Sequence, residues 1–270
     1  MRVVVTDAEV TMADVLSLRL AIEEPLAEGT QLILRQRGTG VETKVVLGTS
    51  GAEVREASVA VSLAPLGLSP GRWDAYLQHE PPAEERTRTR IQSVDPGFSL
   101  DRLDAYALSR RTLAYRAYRT LNGFLAVKIA HAEPVADVRA VWFREGRFEV
   151  TGLLAYTGFD DDDAHHTARL ALRRTAGPET AVTSAATVKG VRFHAALSLC
   201  DVIAATPEYE GLWEPSLEVD GIEVPLPLGG CLDDVDGKRR RVHYPDTKVD
   251  GVPVRPCYTV DDELRLEVGG

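Results

Sequence analysis

Hydrophobic and polar residues alternate along this chain with a period of two rather than 3.6. Leu16, Leu18, Leu20 and Ile22 are separated by Ser17, Arg19 and Ala21, as in a strand with one buried face. The same alternation marks Val59–Leu63, Leu125–Ile129, Phe148–Val150, Leu170–Leu172 and Leu264–Val268. Gly, Pro and Asp clusters separate these runs, which predicts an all-β sandwich or barrel. Asp220-Gly221, between Leu217–Val219 and Ile222–Val224, predicts a two-residue hairpin, because both turn positions favour positive φ. The best helix candidate, around Ala8 to Leu18, lacks a sustained apolar stripe.

The strands occur twice. Gly71-Arg72-Trp73-Asp74-Ala75-Tyr76-Leu77 is answered by Gly211-Leu212-Trp213-Glu214-Pro215-Ser216-Leu217, both reading Gly-x-Trp-acid-x-x-Leu. Downstream, Arg116–Thr120 is answered by Arg255–Thr259, and each block precedes a turn and a closing strand. Val59–Leu63 stands before the first Trp much as Phe193–Leu199 stands before the second. Order and spacing agree, so the expectation is two tandem immunoglobulin-like β-sandwich domains, residues 1–132 and 136–270, with a boundary at Ala132-Glu133-Pro134-Val135. Each would be large enough to bury its own core. Trp73 and Trp213, identically placed in alternating strands, are expected to fill the space between sheets.

Composition narrows the partners. Of 31 basic and 41 acidic residues, 16 of each lie in residues 1–132, so the formal charge of −10 comes from the second half. A chain of that sign repels a phosphate backbone, and nucleic acid is not an expected partner. No run approaches the length of a transmembrane segment, and the start carries no secretory h-region, so a cytoplasmic protein is expected. Cys200, Cys231 and Cys257 are odd in number and unpaired by spacing, which predicts thiols rather than a disulfide framework.

Candidate chemistry is sparse. Gly67-Leu68-Ser69-Pro70-Gly71 fits the G-x-S-x-G nucleophile elbow, yet Pro70 has no N–H to bind an oxyanion and a strand follows; it reads as a turn. Asp160-Asp161-Asp162-Asp163-Ala164-His165-His166 could bind a cation. Adjacent Asp side chains point apart on extended chain, however, and calcium-loop spacing is missing. The run reads as a solvated loop, with His165 and His166 kept as weak ligand candidates. Arg116 and Arg255, matched between the repeats, are the other two and read first as braces of a strand end. No metal site or cofactor is expected, and no catalytic residue can be assigned. Any activity would lie on the long loops Gln78–Arg88, Asp95–Leu113 and Gly229–Arg239.

The paired blocks resemble β-sandwich accessory segments attached to actinobacterial teichoic-acid-type glycerophosphotransferases and related glycosyltransferases. In that family a Trp-acid-x-x-Leu strand is followed by a motif like Arg-Pro-Tyr-x-Thr, a turn and a closing strand. The matching residues are Trp73-Asp74 with Arg116–Ile129, and Trp213-Glu214 with Arg255–Val268. The resemblance covers the latter half of each repeat, and nothing here matches the family's catalytic domain. It implies a domain type and a link to glycan chemistry, and it carries over no catalytic residue. The leading expectation is a non-catalytic binding or accessory module for a glycan, a small molecule, a phosphate-bearing polymer or a partner protein. The alternatives are a stand-alone transferase or cyclase using the inter-domain cleft, and a structural or protein-interaction protein.

Overall fold

The computed structural model describes residues 2–23, 26, 29–47, 56–79, 87–94, 100–176, 180–230, 232, 233, 235 and 237–269. Cys231 and parts of the three long loops named above lie outside the described residues. The chain divides into two compact units, one built from residues up to Tyr106 and Arg111–Ala132, the other mainly from Glu133 onward. Among the described residues no helix is long and apolar enough to cross a membrane.

The first unit contains β1 (Val3–Val10), β2 (Val15–Ile22), β3 (Gln31–Gln36), β4 (Glu42–Val46), β5 (Glu56–Ser62), β6 (Gly71–His79), β7 (Thr87–Arg90), β8 (Gln92–Ser93), α1 (Leu100–Leu108), β9 (Leu113–Arg119) and β10 (Leu125–His131). One sheet has the order β5-β2-β1-β8, the other β4-β3-β6-β10-β9 with β7 also on β6. Leu16, Leu18 and Leu20 of β2, Trp73, Ala75 and Leu77 of β6, and Leu125, Val127 and Ile129 of β10 form its core.

The second unit contains β11 (Val135–Arg144), β12 (Arg147–Ala155), β13 (His165–Arg174), β14 (Ala181–Lys189), β15 (Arg192–Ser198), α2 (Leu199–Ala204), β16 (Gly211–Val219), β17 (Leu226–Gly229), α3 (Lys238–Arg241), β18 (Thr247–Val249), β19 (Val252–Tyr258) and β20 (Leu264–Val268). Its strands follow the order β13-β14-β15-β12-β11-β17-β16, and β13 pairs again with β16, closing a ring of seven. From β16 the sheet continues through β20, β19 and β18.

The two units share a pairing scheme. β2–β5, β3–β4 and β3–β6 in the first correspond to β12–β15, β13–β14 and β13–β16 in the second. The parallel pair β1–β8 matches the parallel pair β11–β17. Trp73 lies opposite Val127, itself opposite Ala117, while Trp213 lies opposite Leu266, itself opposite Pro256. Both first strands carry a bulge, between Val5 and Asp7 and between Val138 and Ala140. The closing turns match too: Thr120 Oγ1 accepts from Phe124 N, and Thr259 Oγ1 accepts from Glu263 N.

The all-β class expected from the alternation holds. The finer expectation of two immunoglobulin-like sandwiches is not clearly met: in the second unit β14 bonds to both β13 and β15, joining the strands into a closed ring of seven. Two local expectations also change. Ala8–Leu18 is not helical; it belongs to β1, a turn and β2. Asp220-Gly221 does turn the chain, with Gly221 at φ 87°, but Ile222–Val224 is not the return strand. Pro225 follows, and pairing with β16 resumes only at Leu226.

Candidate functional site

The bulge in β11 decides which side chains the second unit presents outward. Ala136 and Val138 are buried before it; after it, Val141 and Phe143 pack on the core. A bulge advances the alternation by one residue, so Ala140, Trp142 and Arg144 lie on the outer face. On β12 and β15 the inward residues are Phe148, Val150, Phe193, Ala195 and Leu197, leaving Arg147, Glu149, Thr151, His194 and Ala196 on that face.

The register assembles them. Trp142 stands opposite Glu149 and Arg144 opposite Arg147 on the β11–β12 pair. Thr151 stands opposite His194, and Glu149 opposite Ala196. His194 Nε2 lies 2.7 Å from Glu149 Oε1, and the Arg144 guanidinium carbon sits 4.7 Å from the Trp142 ring centre. Like charges directly opposite one another are destabilising in a sheet. Among the described residues neither Arg144 nor Arg147 has a carboxylate partner that would relieve them. The face therefore offers an aromatic plane, two cations, a carboxylate and an imidazole, with Ala140 and Ala196 leaving clearance.

The first unit has a different face at the same positions. Counting from the shared bulge, Glu9 stands where Trp142 does, opposite Ser17, itself opposite Ala60. Glu9 is ion-paired with Arg102 of α1.

The residues singled out in the sequence lie elsewhere. Trp73 and Trp213 are core residues, their indole N–H groups donating to Ser69 O at 3.0 Å and to Thr206 Oγ1 at 3.1 Å. Gly67–Gly71 is a turn, with Ser69 supplying that acceptor. Arg255 is exposed on β19 and donates across the sheet to Glu267 at 2.7 Å. Arg116, its counterpart, lies in register with Lys128 and, beyond it, Arg72. Each of these three cations has a partner of its own, so their row is not read as an open anion site. His166 stacks on Phe159 at 4.3 Å, whereas His165 is exposed. Cys200 is exposed, and burial pushes the thiol of Cys257 up.

The acidic run packs against the β14–β15 turn. Asp163 pairs with Lys189 at 2.6 Å, Asp161 with Arg192 at 3.2 Å, and Asp162 Oδ1 accepts from Ala164 N at 2.9 Å. Among the described residues no three His, Cys, Asp or Glu side chains converge as a metal site would require. Exposed pairs of this kind contribute about 1 kcal/mol or less. Changing Asp160–Asp163 to Asn is thus expected to move the melting temperature little, and chelator not at all. A fall in melting temperature on chelation, followed by calorimetry, would reveal a bound cation.

A buried polar cluster sits beside the Gly229–Arg239 loop. Lys238 pairs with Asp233, its backbone N–H donates to Asp262 Oδ1 at 3.0 Å, and Leu232 N donates to Asp137 Oδ1 at 3.1 Å. Burial pushes the Tyr258 phenol far up from its ordinary 10.0. These groups satisfy one another, which fits a staple that fixes the loop.

No protein-family model and no curated protein matches the sequence. Among solved structures the chain is similar to S. aureus TarS 217–571, at 12% identity over 84% of this chain and 61% of that one, with a TM-score of 0.38. It is also similar to S. aureus TarS at 13% identity, covering 73% of this chain and 35% of that one, again at 0.38. Human GIVD cytosolic phospholipase A2 matches at 11% identity over 98% of this chain and 30% of that one, with a TM-score of 0.20. The chain thus spans less than two thirds of each.

Proposed function

We propose that the chain is a non-catalytic binding module whose ligand is a saccharide carrying negative charge, held on the outer face of β11, β12 and β15. The carrying observation is the grouping of Trp142, Glu149 and His194 beside the opposed Arg144 and Arg147, at positions where the first unit has Glu9 and Ser17. An indole plane packs well on the apolar face of a sugar ring. Glu149 and His194 have the acceptors and donors that hydroxyl groups need. A guanidinium forks onto phosphate or carboxylate oxygens. The reading of the chain as two copies of one immunoglobulin-like sandwich, residues 1–132 and 136–270, is supported by the matched registers and bulges.

Titration calorimetry with polygalacturonate and with dextran tests this. Trp142→Ala is expected to weaken binding of polygalacturonate by about tenfold or more, the equivalent of ~1.4 kcal/mol. Arg147→Glu should weaken polygalacturonate while leaving dextran unchanged. Wild-type protein that binds neither polymer, or a Trp142→Ala variant that binds both as before, would reject the reading.

A further inference from the structure

The pairing of His194 with Glu149 leaves one ring nitrogen available on the outer face of β11, β12 and β15. His194 Nε2 lies 2.7 Å from Glu149 Oε1. An ionised carboxylate only accepts hydrogen bonds, so Nε2 carries the hydrogen and the partner fixes the tautomer of the ring. Nδ1 makes no hydrogen bond among the described residues, and the side chain is 49% exposed. Nδ1 is thus the ring nitrogen left for a ligand.

Protonation of the ring falls on that same nitrogen. While the ring is neutral Nδ1 is a bare acceptor; once protonated it becomes a charged donor. Histidine is the side chain whose ordinary titration lies between about pH 5 and 8. An oxyanion can accept only from the protonated form. A sugar hydroxyl can serve both forms, donating to the neutral ring and accepting from the charged one.

The surroundings make that one proton count. On β15 itself the same-face neighbours of His194 are Arg192 and Ala196, and Arg192 pairs with Asp161 at 3.2 Å. Opposite His194 stand Thr151 on β12 and Thr187 on β14. Next along β14 on that face is Lys189, which pairs with Asp163 at 2.6 Å. Next along β12 are Glu149 and Arg147, with Arg144 of β11 opposite Arg147. Arg192 and Lys189 are therefore matched by carboxylates, and the rest of the face sets Arg144 and Arg147 against Glu149. Protonating His194 cancels the charge of Glu149 and leaves both guanidinium groups uncompensated.

We propose that His194 Nδ1 is the contact by which this face discriminates an anionic from a neutral saccharide, tightening on the anionic one as pH falls. The proposal rests on the reading of the β11–β12–β15 face as the binding face. A carboxylate ordinarily titrates near pH ~4, so a polyuronate keeps its charge while the imidazole changes.

Titration calorimetry with polygalacturonate and with dextran, at about pH 5.5 and about pH 8, tests it. Wild-type protein should bind polygalacturonate about fivefold more tightly at the lower pH, the size of one exposed charge contact. Between the two, binding should take up a proton, seen as a heat that varies with the ionisation enthalpy of the buffer. Dextran affinity should be the same at both. His194→Gln, which keeps an amide donor for Glu149 and cannot titrate, should flatten the polygalacturonate profile at its weaker level. Polygalacturonate binding of equal strength at both pH values, or a His194→Gln variant that keeps the pH dependence, overturns the role of His194 and leaves the binding face standing. Imidazole nitrogen resonances showing a neutral ring protonated at Nδ1 overturn it as well. Failure of both polymers to bind at either pH overturns the binding face together with this proposal.

Discussion

Replacing Trp213 with alanine is expected to destabilise the second unit by about 3–5 kcal/mol, read as a lower denaturant midpoint. The indole is fully buried in the second unit's core, a cluster that includes Leu217, Leu264 and Leu266. Removing it leaves a cavity that strands paired on both edges cannot readily collapse. It also breaks a chain of hydrogen bonds, because Trp213 Nε1 donates to Thr206 Oγ1 and Thr206 Oγ1 donates to Val202 O at 2.7 Å. Trp213→Phe separates these effects: it keeps most of the ring volume and should cost the hydrogen bond plus a smaller cavity. If Trp213→Ala melts like wild type, the side chain is not a core residue.

Replacing Lys238 with alanine should cost about 3 kcal/mol, at the low end for a broken buried pair because Asp233 keeps some contact with water. The lysine side chain is only 4% exposed, whereas that of Asp233 is 29% exposed. The stem lies against Gly230, where a Cβ would stand 2.6 Å from Lys238 Cε. Lys238→Met keeps the stem and removes the charge, so it should cost less than Lys238→Ala. Thermal melts of the two variants give the order. An unchanged melting temperature for Lys238→Ala would show that the loop does not depend on the ammonium.

Much of the strand content was legible because half-buried strands write their period directly into the sequence. The matched Gly-x-Trp blocks pointed to the two core indoles that occupy matching places in the two pairing schemes. What escaped depends on single-residue shifts. Continuing the alternation of β11 from Ala136 and Val138 would put Trp142 inside; the bulge at Arg139 turns it outward, and nothing in the local sequence announces a bulge. Glu149, His194, Arg144 and Arg147 meet only through a register set across three strands. The ring closure through β14 and β15 is a tertiary pairing that periodicity cannot specify.

The central claim, that one of two equivalent outer faces has become the binding face, is tested most directly by hydrogen–deuterium exchange with and without polygalacturonate. The account predicts added protection in residues 140–151 and 192–198, with none in the equivalent residues 7–19 and 56–62. Protection confined to the first unit's face, or no change in either, would contradict it.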